Sequence, residues 1–159
     1  MKIFGMFFVV ISAMIFAFER TSADDRRLRV LLELTKFIER LRIDIGCYLK
    51  PVSDIAAAFS SDTLSELGFL SDIREMGADK AYVRLEEKKI LRDEEKRILS
   101  GFFSRLGEGY AEDELKLIDS ALQELSALIK VEREKAPKRK KLFLTLSCAG
   151  ALALIILLI

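Results

Sequence analysis

The sequence predicts an all-α fold: an antiparallel bundle of about six helices, flanked by a transmembrane helix at each end. Three observations predict it. Charge is confined to the middle, since of 26 Lys and Arg and 25 Asp and Glu only Lys2 lies outside residues 19–141. The ends are apolar: 14 of the 16 residues in 3–18 and 15 of the 18 in 142–159 are hydrophobic. Between them apolar residues recur at helical spacing, no run alternates long enough for a strand, and Pro51 and Pro137 are the sole prolines. The expected organisation is a transmembrane anchor over 1–20, a cytoplasmic helical bundle domain over 21–136, and a basic flank with a transmembrane helix over 137–159.

The C-terminal run carries no charge and would span about 27 Å as a helix, close to the ~30 Å hydrocarbon core of a bilayer. Lys138, Arg139, Lys140 and Lys141 stand directly before it and set the topology by holding that end on the cytoplasmic side. The N-terminal run is shorter. It can be read as a signal-peptide core, with Thr21-Ser22-Ala23 as small residues for cleavage, or as a retained anchor. Arg20, Arg26, Arg27 and Arg29 follow it closely, hinder export, and favour the anchor. Both termini are then expected across the membrane from the central domain.

Within that domain, Leu31, Leu34, Ile38, Leu41 and Ile45 repeat every three or four residues and mark one face of a first helix. Asp24 or Asp25 caps its start, unless it runs unbroken from the N-terminal segment. Gly46 and the coming Pro51 end it. Pro51 suits the first turn of a short second helix over 52–60, where a missing N–H costs no hydrogen bond. Ser61 or Asp62 caps a third helix over 63–76, with Leu67, Leu70 and Ile73 inward and Gly77 closing it in the left-handed conformation. Asp79 opens a fourth over 80–90 that turns Ala81, Tyr82 and Leu85 inward. A fifth, over 93–106, presents Ile98, Leu99, Phe102, Phe103 and Leu106 and stops at Gly107. The last, over 111–135, carries Ala111, Leu115, Ile118, Leu122, Leu125 and Ile129 as a coiled-coil-like seam. That seam either closes the bundle or pairs with another copy.

Residues able to do chemistry are scarce. With no histidine, a Ser-His-Asp triad, a Cys-His dyad and a His-ligated metal are excluded. Cys47 and Cys148 cannot build a disulfide framework or a four-ligand zinc site; Cys47 reads as a small buried residue. Balanced charge argues against a nucleic-acid footprint. Gly107-Glu108-Gly109 lacks the remainder of any phosphate-binding loop. Asp93-Glu94-Glu95 and Glu112-Asp113-Glu114 sit in first turns of helices, where negative charge meets the positive end of the dipole. We therefore expect no enzyme, no cofactor, no metal and no small-molecule substrate. The lipid bilayer is an expected partner, and the four cations at 138–141 can also attract its anionic headgroups.

Several short patterns occur in a telling order. Phe18-Glu19 follows the first apolar run, and Arg27-Leu28-Arg29 opens a leucine-rich helix that ends in Leu41…Asp44-Ile45. Pro51-Val52 comes six residues later, then Lys80-Ala81-Tyr82, then Leu99…Phe102…Leu106-Gly107. Over nearly its whole length the chain resembles the stage III sporulation protein AB family. That family shows an acidic-Ile pair and then Pro-Leu, an Ala-Trp segment, and a Leu-x-x-Phe-Gly-x-x-Leu-Gly pattern. Here Tyr82 takes the Trp place, Phe103 replaces the first glycine, and Tyr110 stands where an Asp often follows the Leu-Gly. Pro51, Tyr82, Phe102 and Gly107 are the matching positions singled out as interaction or structural residues.

The resemblance implies a place in the mother-cell membrane around the forespore of an endospore-forming bacterium, in the channel complex that links the two cells. It also implies a cytosolic domain similar to the F-type platform subunit of type II secretion and pilus machines. The implied partners are the secretion-type ATPase of the complex and other stage III sporulation membrane proteins. The rival reading is a membrane-anchored adaptor or signalling protein that dimerises through the 111–129 seam.

Overall fold

The structure, a computed structural model, describes the backbone of residues 2–107 and 109–158, and side chains over 22–107, over 109–135 and at 145. Among the described residues the fold is all-α, with seven helices and no strand. In chain order these are α1 (Lys2–Tyr48), α2 (Val52–Ala58), α3 (Asp62–Glu66), α4 (Phe69–Met76), α5 (Ala78–Glu87), α6 (Asp93–Phe103) and α7 (Ala111–Leu158). The chain divides into one compact unit, Arg26–Lys130, and another made of residues 1–25 with 131–159. Among the described residues no helix is long and apolar enough to cross a membrane. The side chains of the two apolar runs expected to do so, Thr145 apart, and of the cations Lys138, Arg139, Lys140 and Lys141 lie outside the described ones.

The Arg26–Lys130 unit is built on α1. The anticipated stripe of Leu31, Leu34, Ile38, Leu41 and Ile45 is buried, and Val30 and Phe37 widen it. Against it lies α7, running antiparallel. Arg42 Nε reaches Asp119 Oδ1 at 2.7 Å, and one turn on Leu115 packs over Gly46, where an added Cβ would meet its side chain at 3.3 Å. Gly46 therefore does not end α1, as its sequence context suggested; it lets the two helices approach, and α1 continues to Tyr48. On α7, Ile118, Ala121, Leu125 and Ile129 are buried, while Ala111, Leu115 and Leu122 are half-buried. Most of the seam is thus used inside the chain, with the buried line turned toward Ala121.

The expected single helix over 63–76 is two helices. At 100° per residue, an unbroken helix would put Leu64 and Ile73 on opposite sides, yet both are buried. Gly68, at φ 71° and ψ 7°, turns the chain between α3 and α4 so that both face one core. The carbonyl of Leu67 at this break accepts from Lys88 Nζ at 2.5 Å, and Ser61 Oγ caps α3 by accepting from the Leu64 N–H. A Cβ on Gly68 would meet only ordinary contacts at 3.9 Å, so the cost of substitution is conformational. Gly68→Ala should lose about 1–2 kcal/mol in urea unfolding, and Gly68→Asn less, because Asn tolerates the left-handed region.

Gly77 also departs from expectation. It takes φ 91° and ψ 165°, an extended geometry open essentially to glycine, rather than the left-handed helical one. A single residue thereby ends α4 and starts α5, two residues earlier than Lys80. Arg84 ties the two helices by donating to Asp72 at 2.7 Å. Three other limits fall short of expectation, with α2 stopping at Ala58, α5 at Glu87 and α6 at Phe103, whereas α7 passes the expected end at residue 135 and continues to Leu158.

One column of aromatic rings crosses this core. Phe37 of α1 meets Phe59 edge-on at 5.3 Å and Phe69 of α4 at 6.2 Å. Phe69 meets Phe103 of α6 at 5.4 Å, and Phe103 stacks on Tyr82 of α5 at 5.3 Å and 18°. Edge-to-face and offset-stacked pairs are the geometries that aromatic quadrupoles favour, so the column joins four helices through directional contacts.

Candidate functional site

The four motif residues do not converge on one site. Tyr82 and Phe102 are buried in the aromatic core. Tyr82 donates its hydroxyl to the Lys96 carbonyl at 3.1 Å, which pins α5 to α6. Phe102 packs edge-on against Phe103 at 4.9 Å. Pro51 and Gly107 instead sit in exposed connections. The Pro51 carbonyl accepts from the N–H groups of Asp54 and Ile55 and so opens α2. Gly107, at φ 91°, donates its N–H to Glu114 Oε1 at 2.6 Å, and Gly109 donates to the same oxygen at 3.3 Å.

Tyr82 and Phe103, the two positions at which the resemblance led us to expect Trp and Gly, are in contact as stacked rings. Burial, with the charges of Glu86 and Glu95 nearby, pushes the Tyr82 phenol well above its ordinary range. A raised phenol stabilises the fold fully below the unfolded value near 10, and that stability is lost as pH rises above it. Alkaline unfolding above about pH 10 should therefore be blunted in Tyr82→Phe. That variant should also lose about 1 kcal/mol at neutral pH with its hydrogen bond, as urea midpoints measured at both pH values would show.

The burial of several charged residues was not anticipated. Arg27 of α1 and Glu95 of α6 are both buried and form an ion pair at 2.8 Å. Glu95 also accepts the Arg92 N–H at 2.9 Å, so its carboxylate reaches back to the backbone at the start of α6. Asp44 is buried too, and receives Arg40 Nε at 2.7 Å and Lys50 Nζ at 3.8 Å. The acidic runs at 93–95 and 112–114 thus each send their third residue, Glu95 and Glu114, inward to backbone N–H groups. Helical phase carried the signal. Glu95 stands four residues before Leu99, Glu114 four before Ile118, and Arg27 three before Val30, each on an apolar face.

Two surface features remain. A shallow groove runs between α6 and α7 as two depressions of about 520 and 220 Å³ that share Arg105, Leu117 and Ser120. The second is where α1 closes and α7 opens. The pairs 42–119 and 46–115 set a register that brings residues 49 and 50 level with the start of α7. At this tip Ile43, Tyr48, Leu49 and Tyr110 are 53%, 65%, 75% and 86% exposed. Cys47 is exposed there as well, not buried as its position after the apolar stripe suggested.

No curated protein and no solved structure matches the chain. The sequence pattern described as stage III sporulation protein AB matches residues 2–159. With essentially the whole length covered, and its motif positions accounted for as core and turn residues, the chain belongs to the stage III sporulation protein AB family.

Proposed function

We propose that this sporulation protein is a structural membrane component of the channel complex between mother cell and forespore. In this reading it serves as a platform that couples a cytosolic secretion-type ATPase to the membrane assembly. It resides in the mother-cell membrane around the forespore, its helical domain is cytoplasmic, and it contacts other stage III sporulation membrane proteins and the lipid bilayer. It is not an enzyme; nucleotide chemistry belongs to the ATPase. The observation that carries the reading is the aromatic column through α1, α4, α5 and α6, pinned by the Arg27–Glu95 pair. A unit held this way moves as one piece, which is what transmitting a partner's motion requires. The adaptor reading draws less support, because Ile118, Leu125 and Ile129 of its dimerisation seam are already buried within the chain.

Two measurements test the proposal. Full-length protein in detergent should co-purify with the purified ATPase of the same complex; no association in any nucleotide state would remove the coupling role. In cells carrying Cys148→Ser, exposed Cys47 should react with a membrane-impermeant maleimide only after permeabilisation. Labelling of intact cells would place the domain outside the cytoplasm and overturn the topology.

A further inference from the structure

We propose that the groove between α6 and α7 receives an amphipathic helix from a protein partner, one whose acidic residues run along the edge that faces α6. The inference does not depend on the platform reading. Its first observation is Gly101. Of the two helical glycines in the Arg26–Lys130 unit, Gly46 is explained by the Leu115 side chain lying over it. Gly101, inside α6, has no such neighbour. It is exposed, and among the described residues an added Cβ would meet nothing within 4 Å beyond its own helical turns. Its φ is not positive, so no left-handed conformation demands it either. Glycine is the poorest helix former after proline, and no contact within the unit calls for one here. What a missing side chain does provide is close approach for a chain from outside.

Gly101 opens onto the groove beside Ile98, Phe102 and Leu117, which give it an apolar floor. The wall from Asp113 to Glu124 runs about 16 Å along α7, enough for three turns of a docked helix. Charge selects the occupant. Arg97 in α6 and Arg105 in the turn after it stand four residues either side of Gly101. Among the described residues neither has an ion-pair partner. On the α7 wall Asp113 takes Lys116 at 3.4 Å and Glu124 accepts from Ser120 Oγ at 3.5 Å. Glu114 is turned in to the N–H groups of Gly107 and Gly109. One wall is therefore positive and the other neutral to acidic. A nucleic acid or an anionic membrane is negative throughout, and would set phosphates against Asp113 and Glu124 as well as against the arginines. A second copy meets a different obstacle. In a two-fold contact through Gly101, residue 97 faces either residue 105 or residue 97 of the other copy, and arginine meets arginine both ways. A partner helix with an acidic, an apolar and an acidic residue at i, i+4 and i+8 matches the Arg97–Gly101–Arg105 line, and its far edge can stay uncharged.

The test uses full-length protein in detergent and a synthetic helical peptide of about four turns that carries Glu, Leu and Glu at four-residue spacing on one face. A second peptide carries Lys in place of each Glu. By fluorescence anisotropy the Glu peptide should bind at least about tenfold more tightly than the Lys peptide. Gly101→Leu, whose side chain fills the floor, should weaken that binding at least about tenfold. By circular dichroism it should melt no lower than the parent, since leucine is the better helix former at an open site; that separates docking from folding. Arg97→Glu combined with Arg105→Glu should reverse the preference and favour the Lys peptide. Val83→Ser, at an exposed apolar position on α5, should bind within about twofold of the parent. Equal binding of the two peptides, or parent-like binding by Gly101→Leu, would overturn the inference. Tighter binding of a short DNA duplex than of the Glu peptide would name a polyanion as the occupant and overturn it too. Self-association that light scattering finds in the parent and not in Gly101→Leu would make a second copy the occupant, with the same result. No binding of the Glu peptide by the parent would remove the inference and leave the platform reading to its own test.

Discussion

Glu95→Ala should destabilise the helical unit by about 3–5 kcal/mol, the loss expected when one partner of a buried ion pair is removed and the other is left uncompensated. Both side chains are almost fully withdrawn from water, at 6% and 3% exposure, so solvent screening does not soften the effect. Glu95 also accepts the Arg92 N–H, and the start of α6 loses that cap in the same substitution. For a unit of this size the change should lower the melting temperature by more than about 10 °C. The joint replacement Arg27→Met with Glu95→Leu should cost less than Glu95→Ala, because no stranded charge remains and apolar volume is restored. Urea unfolding of the parent, Glu95→Ala and the joint variant provides the check. A loss below about 1 kcal/mol for Glu95→Ala would show that the pair does not fix α6 on α1, and would weaken the rigid-unit argument for coupling.

Phe103→Ala should cost about 3–5 kcal/mol, as large-to-small changes of a buried aromatic do. Its ring is the node of the column, touching Phe69, Tyr82 and Phe102, so three directional contacts go with it. The more informative result concerns Tyr82. In the native background Tyr82→Trp should overpack the core and cost about 1–3 kcal/mol. Combined with Phe103→Ala, the larger indole enters the space the phenyl ring vacated, and the double variant should be more stable than the sum of the single changes predicts. Coupling of about 1 kcal/mol or more in that cycle would establish that the two departures from the family pattern compensate each other. Strict additivity would mean that they are unrelated.

How much of this was legible depends on what each feature is made of. The stripe on α1 could be read because its residues are apolar and local, and a period of 3.6 is written directly into their spacing. The inward set Ala81, Tyr82 and Leu85 was legible for the same reason. The break at Gly68 was not. A lone glycine in an apolar helix pattern is tolerated, and only the need to bury Leu64 and Ile73 in one core forces it into the left-handed region. Gly46 was read as a stop because the glycine signal is ambiguous; Leu115, distant in sequence, makes it a contact point instead. Glu95 and Glu114 were seen as acids at helix starts, which they are, but their burial depended on Arg27 in one case and on the Gly107–Gly109 turn in the other.

The sequence by itself determined the all-α class, most of the helical faces, the membership signalled by ordered motifs, and the separation of a charged middle from apolar ends. These follow from composition and short-range periodicity, which any segment carries without reference to the others. Only the tertiary structure decided which acids are buried, which glycines hinge and which pack, that the Tyr82 and Phe103 rings stack, and that Gly101 opens onto the groove between α6 and α7. Each of those is a relation between residues far apart in the chain. Burial, ring stacking and ion pairing are set by the partner's position in space, and a one-dimensional pattern does not encode it.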